Sequence, residues 1–172
     1  PGLIQAYDAT NMVVDAGGTT AATGSSCWAV KFGPMDVQWV LGGDGNLNVS
    51  DVRIESIVDP NASTKRYTAY VQELLSWAGL QVKSQFCIGR IKKLTDDSGK
   101  GLTDARLGSL VSKFPTGWRP DAFFCSRRSL EQLRASRTAT NATGAEAPTP
   151  TIFEGIPLIP TDSILNTEAL TL

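Results

Sequence analysis

Histidine is absent from this 172-residue sequence. That removes Ser-His-Asp and Cys-His catalysis, histidine-ligated zinc and the usual general base near neutral pH. Cysteine is scarce. Cys27, Cys87 and Cys125 are far apart and odd in number, which reads as small core residues, with a reactive thiol or an intermolecular disulfide as the alternative. No apolar run approaches the length of a membrane span, and residues 1–20 lack the basic-then-apolar order of a signal peptide, so a cytosolic origin is expected. The sequons at Asn48, Asn61 and Asn141 mean little without a secretory route. There is no Gly-Lys-Ser/Thr, and no Gly-x-Gly-x-x-Gly between a strand and a helix. Carboxylates are scattered, and no pair can be assigned to acid-base work. The run Asp44 to Asp51 has the look of the back of a calcium loop, but the first and third ligand positions fall on Val40 and Gly42, so a hairpin turn is expected and no metal or cofactor.

What is present is ordinary globular material. Hydrophobic residues make up 41% and charged residues 19% of the chain, enough for one good core or two small lobes. The formal net charge of −1 hides a segregation. Residues 90–139 hold eleven basic and five acidic side chains, residues 1–89 hold five and eight, and residues 140–172 hold none and four. Either the excess is neutralised within the fold, or it faces a neighbouring subunit or nucleic acid.

Residues 1–26 are small and polar and read as a flexible or extended segment. Cys27 to Phe32 and Val37 to Leu41 read as strands, followed by a hairpin of Asp51 to Val58 and Lys65 to Leu75 around Asp59-Pro60-Asn61. The second arm also fits a helical stripe, but the preceding turn and its β-branched and aromatic residues favour a strand. Further on, Thr103 can cap a helix whose Leu107, Leu110, Val111 and Phe114 keep helical spacing to Pro115. Ala122 to Cys125 suits a central strand, and Ser126 caps a second helix with Leu130 and Leu133 inward. Residues 100–165 are expected to form one compact α+β unit. Arg127 and Arg128 occupy the first turn of that helix, where cations are disfavoured, so either they are simply exposed or they hold a carboxylate or phosphate. Within Thr151 to Ile164, Gly155 marks a bend or close approach, and Pro157 and Pro160 remove one amide donor from each side of an extended chain.

The order helix, Pro120-Asp121-Ala122-Phe123-Phe124 strand, Arg127-Arg128-Ser129-Leu130-Glu131-Gln132-Leu133 helix, long small-residue loop and Gly155-Ile156-Pro157-Leu158-Ile159-Pro160-Thr161 resembles the axial domain of tailed-bacteriophage major capsid proteins of the Hong Kong 97-like fold. The resemblance implies an α+β fold, with residues 100–172 as the axial domain, helices packed on a sheet, and residues 27–99 as a β-rich peripheral portion. That portion precedes the axial domain here, so either the strand order is permuted relative to the common family order or the likeness does not extend to this half. The family's spine helix, extended N-terminal arm and extended loop are not evident, as expected of a fragment or of a chain with its front removed.

The implied function is that of a non-catalytic major capsid subunit self-assembling into an icosahedral head that encloses DNA. Its partners would be copies of itself in pentamers and hexamers, other capsid or decoration proteins, and packaged DNA by non-specific proximity, with no membrane. It would reside in the virion after assembly in the host cytoplasm. Residues 138–149 would lie toward the capsomer axis, and the loop 138–150, with no apolar face of its own, would be mobile in a free subunit. Arg127, Arg128, Arg134, Arg137, Asn141 and Gly144 are the expected contacts to subunits or nucleic acid. The alternatives are a cargo-enclosing nanocompartment shell of the same fold, and a histidine-free enzyme or ligand-binding module using carboxylates, Arg127, Arg128 or Cys125.

Overall fold

Strands far apart in the chain meet in one sheet. The computed structural model describes residues 3–8 and 11–170. In chain order the elements are α1 (Leu3–Ala6), β1 (Val13–Asp15), β2 (Ser25–Val30), β3 (Val37–Leu41), β4 (Asn48–Val49), β5 (Arg53–Asp59), β6 (Ala62–Val71), β7 (Leu74–Leu75), β8 (Ala78–Val82), β9 (Ile88–Leu94), α2 (Asp104–Val111), β10 (Ala122–Cys125), α3 (Arg127–Ala139), β11 (Ile152–Phe153) and β12 (Ile156–Pro160). Two compact units result, residues 1–38 with 82–172, and residues 39–81. The larger unit holds a mixed six-stranded sheet in the order β1-β9-β2-β10-β12-β11. The longest helix among the described residues, α3, has 13 residues.

β10 is the strand the sequence marks as central, and it pairs antiparallel with β2 and parallel with β12. Residues 100–165 therefore do not close by themselves, which corrects the expectation of a compact unit there. A sheet neighbour is chosen by non-local packing, and β10 takes one from the first thirty residues. Around it Cys27, Ala29, Ile91, Leu94, Leu107, Leu110, Phe123 and Leu133 are buried in one core, with Val111 and Leu130 partly buried against it. Thr103 accepts a hydrogen bond from the Arg106 amide at 3.4 Å and caps α2, while Ser126 accepts one from the Ser129 amide at 3.2 Å and caps α3. α2 lies so close to β9 that a Cβ on Gly89 would fall 2.9 Å from Leu110 Cδ1.

The small polar residues before β2 are extended and tied down rather than loose. β1 pairs parallel with β9, Met12 and Ala16 are buried, and the Gly18 amide donates to the Lys93 carbonyl at 3.1 Å. Composition alone could not show that β9 has an open edge for them.

The prolines of β12 follow from its two neighbours. The Thr161 amide donates to the Cys125 carbonyl of β10, and the Leu158 amide donates to the Thr151 carbonyl beside β11. Alternation then directs the donor that Pro157 lacks toward β10, at the start of the parallel ladder, and the one Pro160 lacks toward the open side beyond β11. Pairing is thus blocked where the ladder begins and where β11 has ended. Glu154 and Gly155, with φ of 49° and 79°, form the two-residue turn between β11 and β12.

The 39–81 unit is built from two-stranded pieces alone, with β3 paired to β8, β4 to β7 and β5 to β6. The strand reading of the second hairpin arm holds, since β6 runs ten residues against β5 with Ile54 opposite Tyr70 and Ile57 opposite Tyr67. Positions 54 and 57 are an odd number apart, so these two pairs lie on opposite faces of the ribbon.

Candidate assembly surfaces

The 39–81 unit has no interior of its own. None of its described side chains is buried, and Trp39, Ile54, Tyr70, Leu74 and Trp77 are 70, 64, 80, 64 and 56% exposed. Several of its polar groups, in contrast, are matched internally. Arg53 bridges Glu55 and Glu73, whose hydrogen bonds, Glu73 foremost, raise the guanidinium pKa. The Glu73 amide donates to Ser50 Oγ at 2.8 Å, and Gln72 Nε2 donates to the Ser50 carbonyl at 3.0 Å. What lacks a partner here is apolar area on both faces of a ribbon. Isolated two-stranded ribbons are marginal in water, and contiguous exposed apolar surface marks an interaction site.

The basic middle of the larger unit is spent mostly within the subunit. Arg137 makes a two-pronged pair with Asp104 of α2 at 2.7 and 2.9 Å, and that contact raises its pKa. Arg134 reaches Glu146 at 2.6 Å and donates from Nε to the Ala147 carbonyl at 2.9 Å. Arg128 donates to the Thr23 carbonyl and lies 3.3 Å from Asp96, which ties the start of α3 to the segment before β2. Lys92 meets Asp8 at 2.5 Å, Lys93 meets Asp15 at 3.3 Å, and buried Arg90 meets Glu168 at 3.4 Å. Acidic residues flanking the basic stretch thus neutralise much of it.

Arg127 differs from the others. Its side chain is 79% exposed, and its ion-pair partner at 3.3 Å, Asp162, is as open. The forks of Arg127 and Arg128 go to different partners, so the sequence reading of a shared anion cradle gains no geometric support. Among the described residues no group of three or more cysteine or carboxylate side chains is placed to hold a metal ion.

The loop after α3 folds back against its own helix. Thr138 Oγ1 accepts from the Ala147 amide at 3.0 Å while Arg134 takes the Ala147 carbonyl, and Ala147 is buried. One small apolar residue with both backbone groups satisfied is enough to anchor the return. At the tip, Asn141 Nδ2 donates to the Ala145 carbonyl at 2.9 Å, Asn141 Oδ1 accepts from Thr143, and Gly144 takes φ of 68°. Asn141 and Gly144 therefore shape an exposed turn.

Two polar centres that sequence reasoning missed hold the chain ends to the sheet. Arg90 donates to the Ile4 and Tyr7 carbonyls and to Ser26 Oγ, and its guanidinium lies 5.2 Å from the Trp28 ring centroid. Burial lowers its pKa, with Glu168 opposing. Asp97 accepts from Thr20 Oγ1 at 2.5 Å, from the Thr19 and Thr20 amides and from Thr95 Oγ1. Thr20, then Thr19 and Thr95, hold its carboxyl below the usual carboxylate range. Asp97 and Thr95 also line an open cleft with Leu102 and Gln132, and both centres read as fasteners.

A subunit whose basic stretch is paired largely within itself and whose apolar ribbon has no buried described side chain has the make-up of a part in a larger assembly. No curated protein matches the chain. A family model described as major capsid protein GP7 matches residues 3–171, nearly the whole sequence. The chain belongs to that family, and is a structural subunit of a viral capsid.

Proposed function

We propose that the 39–81 unit is the arm by which one subunit grips further copies of the chain in an icosahedral phage head of Hong Kong 97-like fold. The observation that carries this reading is the lack of any buried described side chain in the arm, together with large apolar residues on both of its faces. A ribbon apolar on both sides needs cover on both sides, which a closed shell of repeated subunits supplies. The arm would stand where the resemblance leads one to expect an extended loop. Residues 100–172 would form the greater part of the axial domain, and the Asn141–Gly144 turn would approach the capsomer axis in pentamers and hexamers.

Arg127 would face a neighbour or the enclosed DNA, while Arg128, Arg134 and Arg137 position the helix and loop behind it. The subunit would act without catalysis or cofactor, and would assemble in the host cytoplasm. The nanocompartment and ligand-binding readings have no observation in their favour. The double variant Tyr70→Asp, Trp77→Asp tests the arm. It should yield a folded subunit, with unchanged far-ultraviolet dichroism and urea midpoint, that forms no particles in sedimentation or negative-stain images. Normal particles from this variant would refute the arm's role.

A further inference from the structure

Cys27 of β2 and Cys125 of β10 stand directly opposite each other in an antiparallel pair, and both are fully buried. Residues so paired have Cα atoms about 4.5–5.5 Å apart, inside the range that a disulfide spans. We propose that Cys27 and Cys125 are a cross-strand dithiol that a low-molecular-weight disulfide oxidises to an intramolecular bond, stapling two interior strands of the sheet. This inference is independent of the arm.

The two thiols are not equivalent. The neighbouring Cys125 sulfur, then burial, raises the Cys27 pKa, while the neighbouring Cys27 thiol lowers that of Cys125. Cys125 is therefore the thiol that ionises first and attacks. In the first exchange the Cys125 thiolate forms a bond to one sulfur of oxidised glutathione, and one glutathione thiolate leaves. In the second, Cys27 gives up its proton and its sulfur displaces the remaining glutathione from Cys125. Two cysteine thiols are oxidised, one glutathione disulfide is reduced to two glutathiones, and no other reactant is needed. Cys87 lies outside the pair, its sulfur 3.5 Å from Asp36 Oδ1.

The strands that carry the pair lie inside the sheet, so exchange needs the chain to open. Inside a cell the pair stays reduced, whereas a shell released from its host meets oxidising surroundings. A bond closing the long loop between positions 27 and 125 constrains the unfolded chain strongly.

The test refolds the full chain from urea in excess oxidised glutathione, beside a reduced control, and counts thiols by alkylation and mass spectrometry. The expected product is lighter by two hydrogens, keeps one alkylatable thiol at Cys87, gives a Cys27–Cys125 linked peptide, and unfolds at a higher urea midpoint than the reduced form. A Cys27→Ala variant should give no intramolecular bond. Three free thiols after refolding, a bond involving Cys87, or a glutathione adduct persisting on Cys125 beside an intact Cys27 would each overturn the proposal.

Discussion

Asp97 shows how a single side chain organises this subunit. It collects hydroxyl and amide donors from Thr19, Thr20 and Thr95, and so joins the segment before β2 to the end of β9. A carboxyl held low in the folded chain adds stability that is fully present above its unfolded pKa of about 4 and is lost as pH falls through the folded value. The acid limb of urea stability against pH should therefore be steeper in the parent chain than in Asp97→Asn, which lacks that titration. Matching acid limbs in both chains would show that the Asp97 contacts contribute nothing to folding. The arginines teach the same lesson from the other side. Arg137 reads in sequence as a contact to a subunit or nucleic acid, yet its fork is matched to Asp104 thirty-three positions earlier.

At the scale of elements, α2 is the piece whose energetics are most direct. Leu110 is fully buried and rests on Gly89 of β9, where no side chain separates helix from sheet. Leu110→Ala should cost about 2–5 kcal/mol in equilibrium unfolding, as for other leucines cut back in tight cores. A loss under about half a kcal/mol would mean that this face is not packed as described.

Why the sequence revealed some elements and not others is a matter of range. Thr103, Ser126 and the apolar run at 122–125 are local signals, and α2, α3 and β10 stand where those signals put them. The partnership of β10 with β2 depends on packing across more than ninety positions, and no local pattern encodes it. The anchoring of Ala147 was hidden for a similar reason, because it rests on Arg134 and Thr138 turning back along their own helix. The candidate site was legible only in part. Apolar residues at 54, 57, 67 and 70 are visible in the sequence, but alternation cannot reveal that neither face finds a core.

On the scale of the whole molecule, the proposed function divides the work of the two units between stability and association. The larger unit holds the sheet, the helices and the buried core, and its charges are paired largely with one another. The 39–81 unit contributes exposed apolar surface and no core. Membership of the major capsid protein GP7 family is the ground on which we propose assembly as the purpose of that surface. Hydrogen exchange read by mass spectrometry on the free subunit and on assembled particles tests this division most directly, because amide protection reports local opening segment by segment. The account predicts rapid exchange across residues 39–81 in the free subunit and strong protection there in the particle, with little change over α2, β10 and α3. Equal exchange of residues 39–81 in both states would contradict it.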